Sequence, residues 1–136
     1  MEEEGKTLER VFDHLDIGIS VHNTNGEIIE ANGALGRLLG MSPAELVGEK
    51  CHEVFHLKNE FIKGCPMLLS IKSKKPENAE FLLHQSNKLI SFLTLPILDE
   101  GGNVEGVVHV VRDITEQKLM EKAYEDIKML DKMKEE

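Results

Sequence analysis

The sequence predicts an α+β fold: a five-stranded sheet, with two strands before a run of short helices and three after it, and a helix at each end. Three observations carry this. Two strand-like stretches flank Asn23-Thr24-Asn25-Gly26, a hairpin signal. Residues 33 to 73 carry apolar residues on a helical period interrupted by glycines. From Glu80 the period changes to two and holds as far as Arg112, and a long helical stretch closes the chain.

In order, Leu8, Val11, Phe12 and Leu15 recur at i, i+3, i+4 and i+7 behind Thr7, predicting a short amphipathic helix over 7–15 capped by Thr7. Ile17 to Val21 and Glu27 to Glu30 form the first hairpin, its Asn-Gly pair supplying positive φ angles. Ala34, Leu35, Leu38 and Leu39 give a helix over 33–39, stopped at Gly40. Ser42-Pro43-Ala44-Glu45 is a capping box with Pro at the first helical position, and the helix it opens ends at Gly48. A helix over about 66–73 closes in the basic loop Lys72 to Pro76. Glu80 to Gln85 and Lys88 to Ile97 pair about Ser86-Asn87, and Asp99 to Asn103 turns into a last strand, Val104 to Arg112.

In that strand Val107, His109 and Val111 point one way and Val108 and Val110 the other, so each face needs a cover. The short helices can cover one. The N-terminal helix or a second copy can cover the other. Beyond it, Asp113 or Thr115 can cap a long helix in which Met120, Ala123, Ile127 and Leu130 follow a 3-4-3 spacing among alternating Glu and Lys. A polar helix with one narrow apolar stripe predicts a parallel two-stranded coiled coil, hence a homodimer.

The 136 residues suffice for one core, burying roughly two thirds of the unfolded surface. A net charge of −9 argues against nucleic acid or an anionic membrane as partner. The acidic start Met1-Glu2-Glu3-Glu4 and the lack of a membrane-length apolar run predict a soluble cytoplasmic chain. Two cysteines make no disulfide framework, and with no Trp and one Tyr the chain is poor in surface for stacking flat cofactors. There is no phosphate loop, no nucleophile elbow and no carboxylate pair set by spacing, so no enzyme chemistry can be assigned.

Both cysteines fall in Cys51-His52-Glu53-Val54-Phe55-His56 and the following Gly64-Cys65-Pro66. On a helix His52 and His56 stand at i and i+4, while Cys51 and Phe55 share the neighbouring face. Cys51, His52, His56 and Cys65 number the four ligands of a structural zinc site, although adjacent Cys51 and His52 diverge by about 100° on a helix. A Cys51–Cys65 redox pair is a second reading. The third makes Cys51 and Phe55 core residues, His52 and His56 solvated, and Cys65 buried beside Pro66. His109 reads as a hydrogen-bonded histidine on the sheet or a pocket contact; His14, His22 and His84 read as surface residues.

The order of elements and several motifs resemble a PAS domain. Leu15-Asp16-Ile17-Gly18-Ile19 is similar to the family's opening strand, and Asn25-Gly26-Glu27-Ile28-Ile29-Glu30-Ala31-Asn32 to its hairpin, with Asn32 in the characteristic place. Leu39 to Gly48 is similar to its "LLGYSPEELIG" segment, and Gly106 to Arg112 followed by Asp113-Ile114-Thr115-Glu116 to its last strand and exit motif. At His22-Asn23 the family usually has an Asp. The tail from Ile127 to Glu136 resembles the segment before the phospho-accepting helix of sensor histidine kinases.

The resemblance implies a PAS fold: an antiparallel sheet in the order 2-1-5-4-3, short helices cupping a small pocket on one face, and a C-terminal coiled-coil helix. It divides the chain into an N-terminal helix (1–15), a sensor core (16–113) and a signalling helix (114–136) leading to an output domain. It implies a sensory and dimerising module of a histidine kinase, with Cys51, Phe55, His109, Val111 and Asn32 about the pocket and Asp113 and Thr115 relaying the signal. The alternative is a metal- or redox-responsive switch on the same fold. Zinc or iron is the metal it would take, although Ile62 interrupts the Cys-x-x-Cys-Pro of similar metal-bearing members. Val111 stands where flavin-binding members have a glutamine, which disfavours flavin. A small-molecule ligand is the remaining partner implied.

Overall fold

The computed structural model describes the backbone at residues 2–56, 65–83 and 87–134, and the side chains there except at 2, 3, 55 and 56. Its elements are α1 (Glu2–His14), β1 (Gly18–His22), β2 (Ile28–Ala31), α2 (Gly33–Leu39), α3 (Pro43–Leu46), α4 (Cys51–His56), α5 (Pro66–Ser73), β3 (Glu77–Leu83), β4 (Lys88–Leu98), β5 (Val104–Asp113) and α6 (Thr115–Lys134). The strands form one sheet, ordered β2-β1-β5-β4-β3 and antiparallel at every pairing. That is the predicted order.

Local chemistry explains most boundaries. Ser42 accepts from the Glu45 amide at 3.2 Å while Glu45 reaches back to the Ser42 amide at 3.3 Å, so the predicted capping box forms. Gly40 ends α2 at φ 71°, a left-handed conformation that glycine adopts without strain. In the first hairpin only Gly26 has a positive φ, of 83°; Asn25 does not, contrary to expectation. The turn is closed by Asn23, whose Oδ1 accepts the Asn25 and Glu27 amides at 3.0 Å each.

α1 starts at Glu2 rather than Thr7, so Thr7 lies inside the helix and does not cap it. Acidic side chains at the first turn favour that earlier start. The helix does not cover the sheet: its main packing is on α2, and Leu8 and Val11 are exposed. β3 begins three residues before its predicted Glu80, at Glu77. His84 and Ser86 lie outside the described residues, while Asn87 takes φ 54°.

The sheet has an inner and an outer face. Leu83, Ile90, Phe92, Val107 and Val111 point inward and are buried with Leu35, Leu46, Cys51, Cys65 and Met67 from the helical layer. On the outer face Ile19, Val21, Leu93, Leu95, Val108 and Val110 are only half-buried. β1 therefore turns its apolar residues away from the core and its polar ones into it. His22, expected at the surface, is 0% exposed. His14 is exposed, as expected.

Candidate functional site

The Cys/His stretch is anchored through β2. Ile28 donates to the Glu49 carbonyl at 2.9 Å, Gly48 to Ile28 at 2.8 Å, and Cys51 to the Gly26 carbonyl at 2.9 Å. This bridge delivers Cys51 into the core at the start of α4, with Sγ 3.6 Å from Met67 Sδ. Cys65 enters the same cluster from the start of α5, and both thiols are free and buried. Burial pushes the Cys51 thiol up to about 12, and neighbouring Cys65 adds to the rise. A thiol held protonated is a poor nucleophile and a poor metal ligand.

His52 is 6% exposed, so it is not on a solvated face. The side chains of Phe55 and His56 and residue Ile62 lie outside the described residues. Among the described residues no group of three or more His, Cys, Asp or Glu side chains is placed to hold a metal ion.

Asn32 is fully buried at the start of α2. Its Oδ1 accepts the Ile19 amide at 2.9 Å and the Leu35 amide at 3.0 Å, and Nδ2 donates to the Ile17 carbonyl at 2.9 Å. Three of its four hydrogen-bonding positions are thus taken by backbone, which makes it a joint between β1 and α2.

The inner face carries a second cluster. Ser20 and Thr94 are the register partners of His109 on either side of β5. His22 lies two residues along β1 from Ser20, on the same face. All four are at most 1% exposed. Ser20 Oγ and His22 Nε2 hydrogen-bond at 2.6 Å. The His22 and His109 rings stack with centroids 4.0 Å apart, and Phe92 meets His109 edge-on at 4.3 Å. Burial lowers the His22 pKa to about 4, so the imidazole is neutral at pH 7. The Thr94 hydroxyl has no hydrogen-bond partner among the described residues. Leaving a hydroxyl so placed costs roughly 1–3 kcal/mol. Val111 lines the same face beside Phe92.

The third arrangement is the exit from the sheet. Asp113 Oδ1 accepts the Thr115 amide at 3.0 Å, Thr115 Oγ1 accepts the Leu89 amide at 2.9 Å, and Ile114 donates to the Leu89 carbonyl at 2.9 Å. Hydrogen bonds from Thr115, side chain and then backbone, hold the Asp113 carboxyl below the usual range, and Lys88 at 3.9 Å contributes less. Lys118 pairs with Glu80 of β3 at 3.6 Å. The first turn of α6 therefore rests on the β3–β4 hairpin. Beyond it the helix is exposed, including Met120, Ile127 and Leu130 at 58–65%.

Sequence reasoning singled out His109 but missed Ser20, His22 and Thr94. The missing signal was parity. Once His109 is placed inward, antiparallel pairing carries Ser20 and Thr94 inward with it, and a two-residue period adds His22.

A family model described as "PAS domain" matches residues 16–116. The sensor protein kinase WalK of Staphylococcus haemolyticus is 29% identical over 124 residues, which are 89% of this chain and 19% of that protein. The chain thus spans about a fifth of such relatives. Among solved structures, the PAS domain of a Colwellia psychrerythraea protein is similar with a TM-score of 0.65 and 20% identity, covering 83% of this chain and 98% of that one. A sensory box sensor histidine kinase from Vibrio cholerae gives 0.61 and 18%, covering 85% and 94%. The strand order, the exit motif and the match over most of the chain agree, and the chain belongs to the PAS domain family.

Proposed function

We propose that this chain is the sensory and dimerising module of a two-component sensor histidine kinase, acting in the cytoplasm. A change at the inner face of the sheet reaches α6 through the Asp113–Thr115–Leu89 joint and alters the packing of α6 against a second copy. The joint carries this reading. It ties the first turn of α6 to β4 by two backbone-anchored hydrogen bonds, so a shift of that strand must move or release the helix. Such a relay needs two states of the joint with different affinity for the signal.

Dimerisation is supported by the apolar side chains that one copy leaves exposed along α1 and α6 and by the half-buried outer face of the sheet. No helix among the described residues is long and apolar enough to cross a membrane. The relatives named as sensor protein kinases support the kinase context.

The test is the Asp113→Ala, Thr115→Ala double variant in the full-length kinase. It should remain folded, at reduced stability, and lose the response of output to signal. Normal signalling would remove the joint from the mechanism. Deleting residues 119–136 should convert the dimer to a monomer by mass in solution; an unchanged dimer would move the interface to α1 or the sheet.

A further inference from the structure

The centre of the inner face is polar where the fold alone asks for apolar side chains. Ser20, His109 and Thr94 form one register row across β1, β5 and β4, and His22 stacks on His109. Ile90, Phe92, Val107 and Val111 surround them. Ser20 of the row bonds His22 beside it, but the Thr94 hydroxyl, at 0% exposure, finds no hydrogen-bond partner among the described residues. Buried hydroxyls in folded proteins are almost always paired. Val would fill the same space as Thr94 without an unpaired group, so the hydroxyl points to a partner beyond the described residues, such as a bound ligand.

The surrounding charges define that partner. On the strands bearing the row the one Lys or Arg on this face is Lys88, six residues and about 20 Å along β4 from Thr94 and paired with Asp113 at 3.9 Å, and the buried side chains Cys51, Cys65, Met67 and Ser70 of the helical layer are uncharged. The one charged register partner is Glu77, opposite Thr94 on the edge strand and half-buried. It would repel an anion. With Lys88 at the far end of β4 and engaged by Asp113, a carboxylate or phosphate at the row would be desolvated with no cation beside it, at high cost.

We propose that the row Ser20–His109–Thr94, with His22 beside it, binds a small uncharged ligand carrying both a hydrogen-bond donor and an acceptor, an amide or an alcohol, through the Thr94 hydroxyl. This rests on the reading of the inner face as the sensing surface and gives that surface a ligand class.

The test uses acetamide as probe on the ¹⁵N-labelled chain, with acetate and ethylammonium as charged counterparts of similar size. Acetamide should give saturable shifts at the Ser20, Thr94 and His109 amides, with at least tenfold weaker response to either ion. Thr94→Val should weaken the acetamide response at least tenfold, and Thr94→Ser, which keeps the hydroxyl, should retain it. Equal response to acetate, an unchanged response in Thr94→Val, or no shifts at these amides overturns the site. If acetamide fails while the Asp113/Thr115 double variant uncouples output, this site falls and the relay stands; if acetamide binds while that variant signals normally, the site stands and the relay falls.

Discussion

The Thr115 hydroxyl accepts the Leu89 amide proton at 2.9 Å and so fastens α6 to the start of β4, although α6 grows out of β5. The two residues touch in the fold although they are 26 residues apart in sequence. Thr115→Val would keep the shape and leave the Leu89 amide without its acceptor. Stability should fall by about 1–3 kcal/mol, read from the urea midpoint, with faster hydrogen exchange at Leu89. Unchanged exchange there would mean the bond carries nothing.

The His22 pKa gives a pH dependence of known sign. Its folded pKa of about 4 lies below the ordinary 6.5, so between these values the unfolded chain binds more protons. The neutral imidazole's contribution is complete above pH 6.5 and is lost as pH falls toward 4. The loss should total about 3 kcal/mol. Urea melts between pH 4 and 7 check this, and His22→Gln should flatten the curve in that interval.

Cys51, with its thiol at about 12, should be inert to iodoacetamide at pH 8 in the native protein and react only on unfolding. Mass mapping of the alkylated peptide decides. Rapid native labelling of Cys51 would contradict the burial.

Asn32→Ala removes three backbone hydrogen bonds and the N-cap of α2 together. The loss should be about 3 kcal/mol or more, since two amides and a carbonyl lose their buried partner. A drop below about 1 kcal/mol would show that water replaces the side chain.

Ile127 is 58% exposed on α6. In the full 136-residue chain Ile127→Glu should change the stability of the sensor core by less than about 0.5 kcal/mol and yet weaken self-association, measured by sedimentation. Unaltered association would place the dimer contact elsewhere.

The candidate site was only partly legible. His109 and the exit residues Asp113 and Thr115 could be named because each sits in a local pattern: an alternating strand, or a cap before a helix. Asn32 was named for its place in the hairpin, but its role as a joint depends on Ile17 and Ile19 being brought to it across the β1–β2 pairing. Ser20 and His22 were hidden by the usual rule that apolar residues point inward. In β1 that rule selects Ile19 and Val21, and it fails because the pairing of β1 with β5 fixes parity by register.

The sequence by itself determined the Ser42–Glu45 capping box and the Gly40 stop of α2, since such signals act over a few residues; the start of α1 and the Asn23 closure of the first turn it did not. It also showed, in Val107 to Val111, that both faces of one strand are apolar. Only the tertiary structure decided which face is the core, because that depends on which strands pair and in what register. The same choice buried the Ser20, His22, Thr94 and His109 cluster and left Ile19, Val21 and Val108 half-buried on the outer face.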